Sequence, residues 1–183
     1  MLNRTFAFLI LILLIPVFLI ITPLILLEDG FPIFFIQKRV GMHYSFFKLY
    51  KFRTMKKKTP NVATHLLENP NQYILKVGSI LRKLSLDELP NILNILKGEM
   101  VFIGPRPALY NQDNLMQLRI YAGVSHLKPG LTGWAQINGR DQISLEEKVA
   151  LEKYYLTKKS FYFDLKIFFL TFSSAYIKKG INS

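Results

Sequence analysis

From Thr5 to Leu27 the chain carries no charged side chain, and only Pro16, Thr22 and Pro23 interrupt the apolar run. No other feature narrows the fold as much. A straight helix over this run would reach roughly 34 Å, enough for a hydrocarbon core of about 30 Å. A cleaved signal peptide fits poorly: Arg4 is the lone side-chain charge before the run, the run is too long, and no small-residue cleavage site follows it. Pro16 complicates the straight span, because a proline inside a helix removes a backbone hydrogen bond and kinks it. The arms Thr5–Ile15 and Pro16–Leu27 would each reach about 16–18 Å, half a membrane. On these residues alone, a spanning helix and a re-entrant hairpin both stand. The hairpin keeps Arg4 on the same side as Lys38 and Arg39. In either case the excess of basic residues places the remaining chain in the cytoplasm.

Of 183 residues, the first 30 read as a membrane anchor (1–30) and the remainder as one compact domain (31–183), long enough to bury a core. The net charge of +12 comes from 24 basic and 12 acidic residues, and it is local. Lys38–Lys58 holds a dense group of Lys and Arg and no acid. Such a field draws anionic lipid, nucleic acid or phosphorylated substrates, and charge alone does not separate these. The absence of cysteine excludes disulfides and thiolate metal sites, and three scattered histidines argue against zinc.

The pattern predicts an α+β fold with a small β-hairpin or sheet, several helices and amphipathic interfacial helices. Strands are expected over Phe31–Val40 and Tyr44–Met55, with a turn at Gly41–His43 and a surface loop from Lys56 to Pro70. Helices are expected over Gln72–Arg82 and over Ser85–Leu96, the latter stopped by Gly98. Val101–Ile103 reads as a short buried strand. Asn111–Gly123 reads as a helix with Leu115, Leu118, Ile120 and Ala122 near its apolar side. Lys128–Arg140 is glycine-rich and reads as a structured loop, and Ser144–Leu156 as a helix. Phe161–Ile177 is apolar but holds Asp164 and Lys166, so it suits an interface or a core cover better than a span.

Two groups of residues point to chemistry. In Ser85-Leu86-Asp87-Glu88-Leu89-Pro90, Ser85 and Glu88 have the spacing of a helix capping box, and acids favour a first helical turn. The same pair could instead supply a nucleophile and a metal ligand for phosphoryl chemistry, since adjacent helical residues point about 100° apart and suit separate jobs. The two readings are compatible. In Gly104-Pro105-Arg106-Pro107 the prolines restrain the arginine between them, which suits a two-donor grip on phosphate; its plain alternative is a surface turn. Arg82, five positions before Asp87, could reach the same anion or be an ordinary solvated cation. Lys51 and Arg53 share one strand face, available to lipid headgroups, nucleic acid or a diphosphate, or serving only to protect an edge strand. The segment with Pro129, Gly130, Thr132, Gly133, Gln136 and Arg140 could hold a base or a sugar.

Together these segments resemble the bacterial sugar transferases, the monotopic phosphoglycosyl transferases. The resemblance rests on Lys51–Met55, Leu81–Asn91, Leu96–Met100, Gly104–Pro107 and Lys128–Arg140, in that order, and covers nearly the whole chain. It is closest to the small members made of an anchor and a catalytic core. It implies transfer of a sugar 1-phosphate from a UDP-sugar, with an N-acetylated hexosamine the expected donor, to undecaprenyl phosphate, with release of UMP. This step starts surface-glycan assembly on the cytoplasmic face of the bacterial inner membrane. The implied roles are nucleophile for Asp87, metal or acceptor positioning for Glu88, with Mg²⁺ at the pair, and phosphate binding for Arg53, Arg82 and Arg106. The implied anchor is re-entrant and broken at Pro16, although Ile15 stands where small members often carry serine. The implied partners are the UDP-sugar, the polyprenyl phosphate and membrane lipid, without nucleic acid; a homodimer is compatible. Two other readings stay in view: a non-catalytic tethered binder of anionic lipid or nucleic acid, and a glycosyltransferase that releases UDP.

Overall fold

A computed structural model describes residues 2–60, 69–139 and 143–177, with backbone alone at residue 2 and at 172–177. The chain divides into two compact units. The first comprises Met1–Gln37 and Leu49–Leu96, the second Lys38–Lys48 and Lys97–Ser183. Within the first unit the apolar N-terminal helix shares a core with Phe52, Leu75 and Leu81.

That helix, α1, runs Leu2–Asp29 as one element with Pro16 and Pro23 inside it. The expected break at Pro16 does not divide it; a proline can bend a helix without ending it. The stretch Asn3–Asp29 is long and apolar enough to cross a membrane. Its faces differ. Ile21 and Ile25 are buried in that shared core, and the Phe18 ring lies 4.9 Å from that of Phe52. Leu13, Leu19 and Leu27 are bare at 75%, 69% and 85% exposure, a surface that water would not tolerate over such a length.

After α1 come strands β1 (Phe34–Val40) and β2 (Phe46–Phe52), joined through a 3₁₀ turn at Met42–Tyr44. Both are shorter than the pattern suggests. Proline 32 precedes β1, and His43 and Tyr44 take positive φ values of 52° and 62°, which no strand accommodates. A 3₁₀ turn at Pro70–Tyr73 leads into α2 (Lys76–Lys83). The single helix expected over Ser85–Leu96 is divided into a 3₁₀ segment, Leu86–Asn91, and α3, Ile92–Lys97. Pro90 explains the division: it has no N–H for the Leu86 carbonyl and crowds it.

The second unit holds β3 (Val101–Ile103), β4 (Ala108–Leu109), α4 (Asp113–Tyr121), β5 (Gly130–Thr132), α5 (Trp134–Ile137), α6 (Leu145–Lys158) and α7 (Phe161–Ile177). β4 pairs antiparallel with the end of β1, Val40 facing Ala108. β3 pairs parallel with β5, Val101 facing Gly130. The expected loop over Lys128–Arg140 thus contains a strand and a short helix. One core gathers Val40, Ala108, Leu115, Met116 and Val149, and another Ile103, Tyr155 and Ile167. Leu118 and Ala122 pack against the first, whereas Ile120 is 48% exposed and lies off the apolar side assigned to it. α7 buries Ile167 and bares Phe161, Tyr162 and Phe169, so it covers the core with one side and leaves the other apolar and open.

Candidate active site

Ser85 sets the geometry around the acidic pair. Its φ of 57° is left-handed, and its side chain makes no cap to the 3₁₀ segment after it. The capping box expected at Ser85 and Glu88 is therefore absent. The Glu88 N–H reaches only the Ser85 carbonyl, at a long 3.4 Å. Glu88 Oε1 instead accepts from Lys51 Nζ at 2.7 Å. The acids sit on 3₁₀ geometry, where successive side chains diverge by about 120°, so Asp87 and Glu88 point apart even more than in an α-helix.

Asp87 is half-buried, and burial pushes its carboxyl above the ordinary carboxylate range. Lys51 and Arg82 pull it back toward the charged form, while the Glu88 charge adds to the rise. A desolvated carboxylate is a stronger nucleophile than a hydrated one, and the flanking cations keep it ionisable. Arg82 is held from below: its Nε donates to Thr54 Oγ1 at 2.9 Å. Gly78 allows that bond. A Cβ there would stand 2.3 Å from the Thr54 carbonyl oxygen, so only glycine lets α2 lie against this backbone. Beside the acids, buried Asn91 keeps its Oδ1 without a hydrogen-bond partner.

Arg53, a candidate phosphate-binding residue, is bonded to the segment that joins α1 to β1. Its Nη1 pairs with the Asp29 carboxylate, its Nε donates to the Pro32 carbonyl at 2.6 Å, and its Nη2 donates to the Asp29 and Gly30 carbonyls. All three nitrogens are spent on Asp29 and the residues just after it, and a cation at the end of α1 also complements the helix dipole. The first unit thus brings together Lys51, Arg82, Asp87 and Glu88 and sends Arg53 elsewhere.

Arg106 belongs to the second unit. Pro105 and Pro107 beside it are buried, and Arg39 Nη1 donates to the Pro107 carbonyl at 2.9 Å. The Arg106 carbonyl accepts from Arg119 Nη2 at 3.0 Å. Arg119 is itself paired with Glu152 through two bonds of 2.8 and 2.5 Å, both side chains being buried. Sequence reasoning passed over this pair. Its signal was available: Arg119 falls with Leu115 and Met116 on the buried side of α4, and Glu152 between Val149 and Tyr155 on that of α6, where apolar residues belong.

The glycine-rich segment braces the same turn. Gly104 N–H donates to the Thr132 carbonyl at 2.9 Å, and Gly130 N–H to the Pro105 carbonyl at 2.8 Å. A Cβ on Gly130 would stand 2.1 Å from the Gly104 nitrogen, so glycine is required for this approach. Thr132 Oγ1 meets Thr171 Oγ1 at 2.8 Å, Pro129 carries the carbonyl that accepts from the Val101 N–H, and Gly133 lies under Gly104. Gln136 lines a small pocket with Arg106, Trp134 and Tyr155, roomy enough for about one water, and its buried Oε1 has no partner. Burial raises the Tyr155 hydroxyl far above its ordinary value, and so does its bond to Asp164. Arg140 lies outside the described residues.

The whole of this arrangement falls within one family. Residues 1–178 match the bacterial sugar transferases. The chain is 44% identical over 155 residues to an uncharacterized sugar transferase, EpsL, of Bacillus subtilis, covering 85% of this chain and 75% of the relative. It is 37% identical over 182 residues to the exopolysaccharide production protein ExoY of Rhizobium meliloti, covering 90% and 79%. It is also 38% identical over 182 residues to the UDP-glucose:undecaprenyl-phosphate glucose-1-phosphate transferase of Escherichia coli, covering 95% of this chain but 39% of that longer protein. The chain belongs to the bacterial sugar transferase family.

Proposed function

We propose that the protein transfers a sugar 1-phosphate from a UDP-sugar to undecaprenyl phosphate, giving the lipid diphosphate sugar and UMP. The observation that carries this reading is the desolvated Asp87 carboxylate between Lys51 and Arg82, with Glu88 turned aside onto Lys51. The names of relatives support it, among them the UDP-glucose enzyme of Escherichia coli and an N-acetylgalactosaminephosphotransferase of Aeromonas hydrophila.

In the first step an Asp87 oxygen attacks the β-phosphorus of the UDP-sugar. An Asp87 O–P bond forms, the bond from β-phosphorus to the bridging oxygen breaks, and UMP departs with that electron pair. In the second step an oxygen of undecaprenyl phosphate attacks the same phosphorus, and the P–O bond to Asp87 breaks to restore the carboxylate. Splitting one displacement in two is the gain from covalent catalysis. Arg82 and Lys51 neutralise charge on the transferring group. Arg106 is proposed as a phosphate-binding residue on the sequence resemblance alone. Among the described residues no three His, Cys, Asp or Glu side chains gather as a metal cage. Asp87 and Glu88 nevertheless fit Mg²⁺, which takes one or two carboxylates and completes its shell with substrate phosphate and water. When bound there, the ion would neutralise diphosphate charge.

The bare apolar face of α1 suits a site at headgroup level on the cytoplasmic face of the inner membrane, where lipid phosphate and soluble nucleotide meet. The re-entrant path is part of this proposal, because it returns both ends of α1 to that face. The donor is proposed to be an N-acetylated hexosamine. The test is nucleotide release from a panel of UDP-hexoses and UDP-N-acetylhexosamines, with Mg²⁺ and undecaprenyl phosphate in lipid nanodiscs. UMP release by the wild type and none by Asp87→Asn is the expected result. UDP release would overturn the phosphosugar assignment, and a preference for plain hexoses would overturn the donor.

A further inference from the structure

The last turn of α1 ends in two acids, Glu28 and Asp29, that an anchor does not need. Asp29 is accounted for by Arg53. Glu28 is not accounted for by anchoring. Its Oε1 accepts the Lys76 N–H at 2.5 Å and its Oε2 accepts the Val77 N–H at 2.9 Å. These are orphan donors at the start of α2, and the chain supplies no local cap for them: Leu75 occupies the N-cap position and makes no side-chain bond. A carboxylate from 48 and 49 positions earlier takes the place that a serine or aspartate normally fills. It also sets a negative charge against the positive end of the helix dipole.

α2 is only eight residues long and carries Arg82 in its last turn. Its axis is fixed at three points. Glu28 holds the first turn, Gly78 admits the Thr54 backbone in the middle, and Arg82 Nε is bound to Thr54 Oγ1 at the end. A short helix held at its start cannot tilt without moving the group at its end. We infer that Glu28 is a positioning residue for phosphoryl transfer: the end of the membrane helix caps α2 and thereby holds Arg82 toward Asp87. The inference rests on the proposed function for its catalytic consequence. It adds a reason for the anchor to be continuous with the catalytic unit rather than a detachable tether, since the same helix that enters lipid sets the cation beside the nucleophile.

The requirement is for two acceptor oxygens at this reach, and that makes it testable. Glu28→Gln keeps the reach but only one of the two acceptor oxygens, its NH2 group facing the second N–H, whereas Glu28→Asp keeps both oxygens but withdraws them by about one methylene, too short for both N–H groups. In nanodiscs, with UMP release as the readout, Glu28→Gln, with one cap bond left, is expected to lose less kcat than either Glu28→Asp or Glu28→Ala. Glu28→Asp and Glu28→Ala are expected to lose roughly tenfold to a hundredfold in kcat. The opposite order, with Asp better than Gln, overturns the inference, and so does loss of Glu28→Ala from the nanodisc fraction, which would assign the defect to attachment. A double-mutant cycle adds a readout that bulk destabilisation does not move. Thr54→Val removes the other hold on Arg82, so the combined loss with Glu28→Ala should fall well short of the product of the single losses. Losses that multiply overturn the inference. If the wild type releases no UMP from any donor, the function reading fails on its own. Amide exchange at Lys76 and Val77 then still judges the cap, which predicts fast exchange of both amides in Glu28→Asp and protection of one of the two in Glu28→Gln.

Discussion

The chain contains nearly the same tetrapeptide twice, Ser85-Leu86-Asp87-Glu88 and Ser144-Leu145-Glu146-Glu147, and puts the two to opposite uses. At Ser144 the backbone is extended, with φ −60° and ψ 164°. The Ser144 hydroxyl accepts the Glu147 N–H at 3.1 Å, and Glu147 Oε2 accepts the Ser144 N–H at 3.0 Å. A regular helix, α6, comes next. At Ser85 the backbone is left-handed, neither cap bond forms, and a 3₁₀ segment comes next. The difference lies downstream. Pro90 stands two residues after Glu88 and prevents regular α geometry, whereas Lys148 and Val149 succeed Glu147 and permit it. With no helix end to cap, Glu88 turns to Lys51 and Asp87 is left beside two cations. A motif that normally stabilises a helix has its acids released from capping by one proline.

The largest effect should separate the acids at equivalent positions. Asp87→Asn is expected to abolish UMP release, a loss of at least about a thousandfold for a missing nucleophile. Glu146→Gln should leave release unchanged, since Glu146 is exposed on the first turn of α6. The two substitutions also differ in stability, and the sign comes from protonation. Burial raises the Asp87 carboxyl in the folded state above its unfolded value. Below the ordinary carboxylate range both states are protonated and the site is neutral for folding. As pH rises through the folded value, the folded state must carry a desolvated charge, and stability falls. Asp87→Asn should therefore melt higher than wild type at neutral pH in chelator-treated buffer, with the gain vanishing near pH 3. A lower melting temperature at pH 7 would show that Asp87 serves structure, as Glu147 does.

The sequence carried the identity of the candidate residues better than their geometry. Asp87 and Glu88 stood out as adjacent acids just before Pro90, and Lys51 and Arg82 as cations of two basic segments that precede them. Their backbone was not, because Ser85-x-x-Glu88 satisfies the capping template and the effect of Pro90 outweighs it. The partners of Arg53 were hidden for a related reason. Alternation placed it on a face with Lys51, but β2 ends at Phe52, and the residue beyond a strand end is free to turn back to α1. Long elements such as α1 and α7 were plain from apolar content and length. The Arg119–Glu152 pair stayed hidden because a charge at an apolar position reads as noise until its partner, 33 residues away, is seen beside it.

That pair sharpens the contrast between acids kept for chemistry and acids kept for structure. Glu152 lies on the helix that Ser144 caps, is 2% exposed, and holds Arg119, whose Nη2 donates both to Glu152 and to the Arg106 carbonyl. Glu152→Gln leaves the Arg119 charge buried without its counter-ion and should cost roughly 3–5 kcal/mol in urea denaturation. Replacing both residues together, Arg119→Met with Glu152→Leu, removes the uncompensated charge and should recover most of that stability while leaving the Arg106 carbonyl unsupported. Recovery of UMP release along with stability would show that Arg119 has no part in holding the Pro105–Pro107 turn. Recovery of stability without activity is the expected outcome.

The smallest effect is also the most direct comparison of the two serines, because one substitution should act with opposite sign at each. Ser144→Gly removes a cap hydroxyl but leaves a residue that N-cap positions tolerate, so a cost of a few tenths of a kcal/mol is expected. Ser85→Gly removes a side chain from a left-handed position that costs a non-glycine residue roughly 1–2 kcal/mol. Glycine gives part of that back in unfolded-state entropy, so a net gain of about 0.5 kcal/mol is expected. Chemical denaturation resolves the two if both variants are measured side by side against wild type. Destabilisation by Ser85→Gly equal to that by Ser144→Gly would mean that Ser85 caps after all. The released acids would then be a property of the bound state rather than of the fold, and Pro90 would lose its place in the explanation.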